Sequence, residues 1–171
     1  LAYAVRDFFL NGGSQAIVVR LHKGATAAKN ADLKLEAASP GKWGERLTFK
    51  VDSLGLTDDV AARFGIDKAK LFNLTVFELS VVEKPLPEKI VRSERVLALS
   101  VDAAAGSRRL DRVLAAESNL VRVQKKVDGT PDLPAKPADT AASADPTSPD
   151  TLANAIAAFT GGSDGADLEG K

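Results

Sequence analysis

Few side chains in this sequence are of the types that carry out catalysis or bind metal ions. The 171 residues include one histidine, His22, and no cysteine. The lack of cysteine excludes disulfides, thiolate metal ligands and a cysteine nucleophile from this chain, and a single histidine makes the usual zinc sites hard to build. Because a lone histidine without a nucleophile or an orienting acid is more often structural than catalytic, we predict no catalytic, cofactor-binding or metal-binding residues.

Pairs of adjacent like charges are the other candidates for chemistry. Asp58 and Asp59 follow Thr57, and we predict that the threonine caps a helix while the two carboxylates interact with its dipole. Adjacent helical residues point in different directions, which does not suit a catalytic carboxylate pair. Two basic pairs lack the interleaved aromatic residues of a nucleic-acid-binding surface and are predicted to be solvated: Arg108-Arg109 and Lys125-Lys126.

The composition is that of an ordinary globular protein, with 44% hydrophobic and 27% charged residues. The 23 basic and 23 acidic residues give a net charge of zero, so neither nucleic acid nor a membrane is predicted as a partner. No apolar run reaches the ~20 residues of a membrane span, and residues 1–10 lack the features of a signal peptide. The chain has no methionine and begins with Leu1, so we expect it to be a piece of a longer protein.

The first residues combine a helix with a buried strand. Apolar residues at helical spacing precede Gly12-Gly13, which predicts a helix over 2–11. The β-branched run 16–21 shows too little alternation for a half-exposed strand and predicts a strand covered on both faces. A helix, a glycine turn and a buried strand are typical of an α/β domain.

Residues 25–127 are predicted to form a β-rich domain, sandwich-like or barrel-like, with short helices between its strands. Ser39-Pro40 predicts a helix N-cap followed by proline at the first helical position. A stripe at Leu110, Val113 and Leu114 predicts another helix. Alternating apolar residues predict antiparallel strands with one buried face around Leu33 to Leu35, Leu47 to Val51, Leu74 to Val81, Val91 to Val101 and Asn119 to Gln124.

The rest of the chain is predicted to be a linker followed by a second piece of the α/β domain. Residues 128–150 contain five prolines and hardly any large apolar side chain, which predicts a flexible linker or exposed loop. The segment 151–171 returns to helical spacing before its glycines, with a helix predicted over 151–160. Because neither end buries its apolar side alone, we interpret 25–127 as a β-rich domain inserted into an α/β domain that includes 1–24 and 151–171.

Three glycine-containing motifs mark the borders of these regions. The first is an aromatic helix that ends in Asn-Gly-Gly, with Phe8, Phe9, Asn11, Gly12 and Gly13. The second is a tight turn with a tryptophan that offers up to ~250 Å² for packing, with Ser39, Pro40, Gly41, Trp43 and Gly44. The third is a glycine-rich segment, with Gly161, Gly162, Ser163, Asp164 and Gly165.

In this order the motifs resemble the sheath proteins of contractile phage tails. The second motif is similar to the family's Ser-Pro-Gly-x-Trp-Gly turn, although the family often has Asn where Glu45 stands. The third is similar to the segment that precedes the family's large α/β domain. Shorter matches at Asn73-Leu74-Thr75-Val76 and at 114–121 extend the resemblance over nearly the whole chain.

The resemblance implies a structural subunit and not an enzyme, without a cofactor. Sheath proteins form hexameric rings around a tail tube and contract, so other sheath subunits and the tube protein are the expected partners. The expected location is the virion tail, after assembly in the bacterial cytoplasm, for a phage or a related injection system. We expect residues 1–171 alone to be monomeric, because the arms that join subunits are expected outside them and no long exposed apolar strand is visible. The main alternative is a β-sandwich module that binds a cell surface or a carbohydrate, for which an exposed aromatic patch would be the sign. A second alternative is a hydrolase domain, which a convergent acid–base cluster in a pocket would support but which the residue types of this chain do not favour.

Overall fold

The computed structural model describes residues 2–17, 21–80, 89–140 and 159–166. These residues form three α-helices and six β-strands. In chain order they are α1 (Ala2–Leu10), β1 (Lys29–Asn30), β2 (Leu35–Ala37), β3 (Leu47–Asp52), α2 (Asp58–Phe64), β4 (Leu71–Leu79), β5 (Ile90–Ser100), α3 (Leu110–Glu117) and β6 (Val121–Val123). The fold class is therefore α+β and rich in β structure, as the sequence predicted.

Helix α1 confirms the helix predicted over 2–11. Its end is a Schellman motif, in which the N–H of Gly13 donates to the carbonyl of Phe8 and the N–H of Gly12 to that of Phe9. Gly12 has a φ of +92°, which favours glycine.

The strand predicted over 16–21 is not formed by the residues of that run that the structure describes. Ile17 is 87% exposed and Leu21 is 73% exposed, and both lie outside any strand. Residues 18–20 lie outside the described part of the chain. Burial on both faces needs packing partners, and the described part of the chain does not bury Ile17 or Leu21.

The six strands form two antiparallel sheets. The smaller sheet has the order β1-β2-β6, and the larger has the order β3-β4-β5. In the larger sheet Lys50 pairs with Thr75, and Thr75 in turn pairs with Arg95. The long alternating runs predicted around β3, β4 and β5 are confirmed, whereas Leu33 lies in the turn before β2.

Capping explains where the short helices begin. The Thr57 side chain accepts a hydrogen bond from the N–H of Val60 and caps α2, as predicted. The N-cap predicted at Ser39 is wrong, since the first helical turn there is a 3-10 turn over Lys42–Arg46 that follows Gly41. Gly41 donates its N–H to the carbonyl of Thr26, and this bond keeps the chain extended where a helix was expected to start.

Both sheets and α3 contribute to one apolar core. The predicted stripe on α3 is buried, and it packs with side chains of β2, β3, β4, β5 and β6. The largest fully buried side chains include Phe49, Phe72, Leu35, Leu74 and Leu114. A second, smaller cluster around Leu56, Ala61, Leu71 and Ala98 lies under α2.

Two predicted solvent-facing regions make more contacts than the sequence indicated. The described part of the predicted linker, 128–140, lies along the β-rich domain: Leu133 packs against the core, and Thr140 donates its N–H to the carbonyl of Val51. Arg108 was predicted to be solvated, but its Nε donates to the carbonyl of Ala98, at 3.1 Å, and its guanidinium lies over the ring of Phe64. Residues 141–158 lie outside the described residues, and they include most of the helix predicted over 151–160.

Candidate functional site

Residues 23–29, which precede most of the strands, run antiparallel to residues 159–166, which follow the last strand. Thr26 and Ser163 exchange two backbone hydrogen bonds of 3.0 Å. Lys29 and Thr160 exchange two more, of 2.8 and 2.9 Å, and the N–H of Ala166 donates to the carbonyl of Lys23 at 3.0 Å. We call this ladder, together with the turn 41–45 that packs on it, the neck.

Small residues let the turn 41–45 approach the ladder. Gly41 forms a parallel bridge with Ala27. Gly44 is buried, and a Cβ at its position would lie 2.7 Å from the Cβ of Ala37 and 2.9 Å from that of Ala28. The glycine of the Trp-Gly motif is therefore required by close packing, because any side chain there would collide with its neighbours.

Polar groups tie the same turn to the glycine-rich segment. The backbone N–H of Lys42 donates to Asp164 Oδ1 at 3.1 Å. The N–H of Gly162 donates to Glu45 Oε1 at 3.1 Å, and the hydroxyl of Thr26 donates to the carbonyl of Gly161 at 2.8 Å. Each of these bonds joins residues that are more than a hundred positions apart in the sequence.

Two aromatic residues anchor the neck to the core. Phe159 is 1% exposed; its ring meets that of Phe49 edge-on, with the ring centroids 6.4 Å apart. Trp43 is half-buried, packs against the core and donates its Nε1–H to the carbonyl of Ser39 at 3.2 Å. Trp43 therefore serves the packing of the turn, as the sequence predicted, and its ring is not a free platform for a sugar.

The structure brings the second and third motifs together and leaves the first apart. Gly41 and Gly44 meet Gly161, Gly162 and Asp164 at the neck, whereas the hydrogen bonds described for residues 2–13 are all made within that segment. In the first motif Phe8 and Phe9 are 45% and 47% exposed. Ser163 takes its place in the ladder, and Gly165 has a φ of +75° beside Lys23 and Ala25.

Sequence reasoning missed three neck residues, Thr26, Ala28 and Glu45. The run of small residues at 25–28 was a signal that another segment passes close by, but it did not show which one. Glu45 was noted only as a departure from the resembling family. In the structure its carboxylate accepts the N–H of Gly162, a link that depends on the fold.

The neck is built from paired backbone segments and closely packed side chains. His22 lies beside it and is exposed. Within the described ranges, no group of three His, Asp or Glu side chains could hold a metal ion, and no described helix is both long and apolar enough to cross a membrane. The arrangement holds two distant stretches of backbone in a fixed relation.

Two arginines that share the buried carboxylate of Glu78 extend the neck into the larger sheet. Arg46, the last residue of the 3-10 turn, contacts Glu78 at 2.8 Å, and Arg92 contacts the same carboxylate at 2.7 Å. Burial by itself raises the pKa of Glu78, but the hydrogen bonds from Arg92 and Arg46 outweigh it, so that the pKa lies below its ordinary value of 4.5. The carboxylate is therefore ionised at neutral pH and links the turn to β4.

No protein-family model matches this sequence, and no curated protein is significantly similar to it.

Proposed function

We propose that this chain is a piece of the sheath protein of a contractile tail, and that its function is structural. The observation that carries the proposal is the neck. Two motifs that resemble the sheath family meet there through the bonds of Lys42 to Asp164 and of Glu45 to Gly162, which span 122 and 117 residues of sequence. A resemblance by chance would not be expected to select segments that touch each other.

The proposed architecture is a β-rich domain inserted into a larger α/β domain. An inserted domain needs entry and exit strands that lie side by side, and residues 23–29 and 159–166 are neighbours of this kind. The β-rich domain would be a small sandwich, in which the sheets β1-β2-β6 and β3-β4-β5 enclose the shared core. Helix α1, with its exposed aromatic side chains, would belong to the α/β domain.

In this proposal the neck transmits force. A sheath subunit passes the movement of contraction to its neighbours, so its domains must be joined firmly. Paired backbone hydrogen bonds, a buried aromatic anchor at Phe159 and a turn without room for side chains favour a rigid joint over a hinge. The partners would be other sheath subunits and the tail tube, in the tail of a phage or of a related injection system assembled in the bacterial cytoplasm.

The alternative of a carbohydrate-binding module has less support. Such modules present aromatic rings to the sugar, but Trp43 is half-buried and packed against the core. Phe49, Phe72 and Phe77 are fully buried. The exposed aromatic residues Tyr3, Phe8 and Phe9 lie on α1, outside the β-rich domain. Phe64 on α2 is 42% exposed, but the guanidinium of Arg108 lies over its ring.

Electron microscopy of the complete protein tests the proposal. We expect tubes of uniform width when the protein is expressed, and only dispersed particles in every condition would contradict a sheath. A deletion variant tests whether the β-rich domain is an insertion. In this variant a short Gly-Ser linker between Thr26 and Ser163 replaces residues 27–162. Tubes of smaller diameter are expected, whereas loss of tubes in this variant alone would contradict the peripheral insertion and leave the sheath function standing.

A further inference from the structure

The two edges of the larger sheet differ in how they are closed. On the outer edge of β3, Val51 exchanges hydrogen bonds with Thr140, and the carbonyl of Leu47 accepts the N–H of Phe159. Because the backbone groups of a strand point alternately to its two sides, Leu47, Phe49 and Val51 face outward, and Thr48, Lys50 and Asp52 bond to β4. The edge of β3 is thus covered at both ends.

The same alternation assigns the outer edge of β5. On β4, the backbone groups of Asn73, Thr75 and Phe77 bond to β3, so those of the residues that alternate with them bond to β5. The partners of these alternating residues on β5 are Arg92, Glu94, Val96 and Leu99. The backbone groups of Val91, Ser93 and Arg95 therefore face away from the sheet. Among the described residues no bridge and no backbone hydrogen bond is formed on that side of these three residues.

The open stretch has a defined end and is accessible. Arg108 donates to the carbonyls of Leu97 and Ala98 and closes the edge beyond them. Val91 is 62% exposed, and Ser93 and Arg95 are also exposed, although the guanidinium of Arg95 bonds to the buried carboxylate of Asp52 at 3.1 Å. An exposed edge of this kind is a template for another strand, and it was not visible in the sequence, where no exposed polymerising strand was expected.

We propose that this edge pairs with β5 of a second copy of the chain, antiparallel and centred on Ser93. Val91 of each copy would then lie opposite Arg95 of the other, and the two Ser93 residues would face each other. Each of these pairs exchanges two backbone hydrogen bonds, so the two sheets join into one continuous sheet.

Charge selects this register over its neighbours. With Ser93 at the centre, Arg92 of each copy lies opposite Glu94 of the other, which is favourable on both sides of the axis. The Glu94 carboxylate keeps its charge in this pairing, although it also accepts hydrogen bonds from Ser118, Asn119 and Leu120 of its own copy. A shift that centres the pair on Arg92 places two arginines opposite each other, and a shift to Glu94 places two glutamates there. Arg92 bonds to Glu78 through Nε and Nη2, and its side chain remains 52% exposed.

The pairing does not depend on the proposed function. A sheath that drives a tube in one direction is polar, and copies related by a two-fold axis do not fit inside one polar tube. Edge pairing would therefore occur between copies that are not assembled, and it would compete with assembly.

Sedimentation equilibrium of residues 1–171, over a wide range of protein concentration, tests the proposal. We expect a reversible dimer that strengthens with concentration. Ser93→Pro removes the central N–H, and because proline is tolerated where a strand edge faces solvent, the domain should fold while the dimer is lost. Folding of the variant is checked by circular dichroism.

A matched pair of variants at the exposed Val91 tests the orientation. Val91→Glu places a carboxylate opposite Arg95 of the other copy, which already bonds to Asp52, and should tighten the dimer by about 2-fold, whereas Val91→Lys should weaken it by a similar factor. In a parallel pairing, residue 91 of one copy would lie near residue 91 of the other. Like charges would then face each other, so both variants would weaken the dimer. A monomer for both the wild type and Val91→Glu, a dimer of folded Ser93→Pro, or weakening by Val91→Glu would each overturn the proposal.

Discussion

The chain contains two Gly-Gly pairs with very different surroundings. Gly12-Gly13 ends α1 through hydrogen bonds to Phe9 and Phe8, so that all its partners are close in the sequence. Gly161-Gly162 lies in the neck, where it bonds to Thr26 and Glu45, which are 135 and 117 residues away. The first pair shapes one helix end, and the second joins three segments of the fold.

The difference shows what a glycine pair does by itself and what it does through the fold. A Cβ on Gly13 would meet the ring of Phe8, an exposed side chain that can turn away. A Cβ on Gly162 would lie 2.6 Å from the carbonyl oxygen of Gly41, a backbone atom held by the ladder. The local role is therefore tolerant of substitution, and the long-range role is not.

The largest effect is expected from removing the aromatic anchor of the neck. Phe159→Ala should lower the free energy of unfolding by about 3–5 kcal/mol, because it leaves a cavity beside Phe49 in a closely packed core. Chemical denaturation followed by the fluorescence of Trp43 measures the change. Phe9→Ala on α1 is the matched control, and it should leave the transition unchanged because Phe9 is half-exposed. Equal losses in the two variants would contradict the contrast between the segments.

Substitution of Gly162 in the neck should destabilise the protein more than substitution of Gly13 at the end of α1. Gly162→Ala should cost about 1–3 kcal/mol, since the new methyl group overpacks the turn against the carbonyl of Gly41. Gly13→Ala should cost less, because the ring of Phe8 can move. Thermal unfolding of both variants gives the comparison, and a neck that tolerates Gly162→Ala without loss would mean that the turn is not tightly packed.

The sequence predicted those structural features that depend on residues close together in the chain. The end of α1 at Gly12-Gly13, the cap of α2 at Thr57 and the buried stripe of α3 depend on residues within one or two turns of the helix, and all three are confirmed. The failures depend on distant partners. Ser39 does not cap a helix because Gly41 bonds to Thr26, and Arg108 is not solvated because the bulged end of β5 presents carbonyls to it.

The neck shows the same limit for the site. Its glycines, tryptophan and Asp164 were singled out from the sequence, because turn residues and a lone tryptophan are visible there. That Lys42 meets Asp164, or that Glu45 meets Gly162, follows from chain topology, which single-residue types do not encode. Thr26 and Ala28 were missed because a threonine or alanine gains its role only from what packs against it.

The ion pairs of the neck and of α1 should respond differently to substitution. Glu78→Gln weakens the bonds from Arg46 and Arg92 and should cost on the order of 1–2 kcal/mol at neutral pH, since both arginines are partly exposed. The exposed pair of Arg6 and Asp7 on α1 is the control, and Asp7→Asn should leave the unfolding transition unchanged.

The pH dependence of the Glu78 contribution has a defined sign. The pKa of Glu78 is lower in the folded state than its ordinary value of 4.5, so its contribution is fully present above that pH and is lost as the pH falls through the folded pKa. The difference in unfolding free energy between the wild type and Glu78→Gln should therefore shrink on acidification below about pH 4.5. A difference that stays constant from neutral to acidic pH would show that the charge of Glu78 does not stabilise the fold.

The smallest effect on the domain is expected at Gly12, although its backbone is strained for any other residue. Gly12 and Gly161 have φ values of +92° and +78°, so alanine at either position carries a similar local cost of about 1 kcal/mol. At Gly161 the cost falls on the neck, and the melting temperature of the domain should drop. At Gly12 it falls on α1 alone, so hydrogen exchange in α1 should quicken while the Trp43 transition stays in place. If Gly12→Ala lowered that transition as much as Gly161→Ala does, α1 and the β-rich domain would unfold as one cooperative unit, and the contrast between the two glycine pairs would be confined to their local contacts.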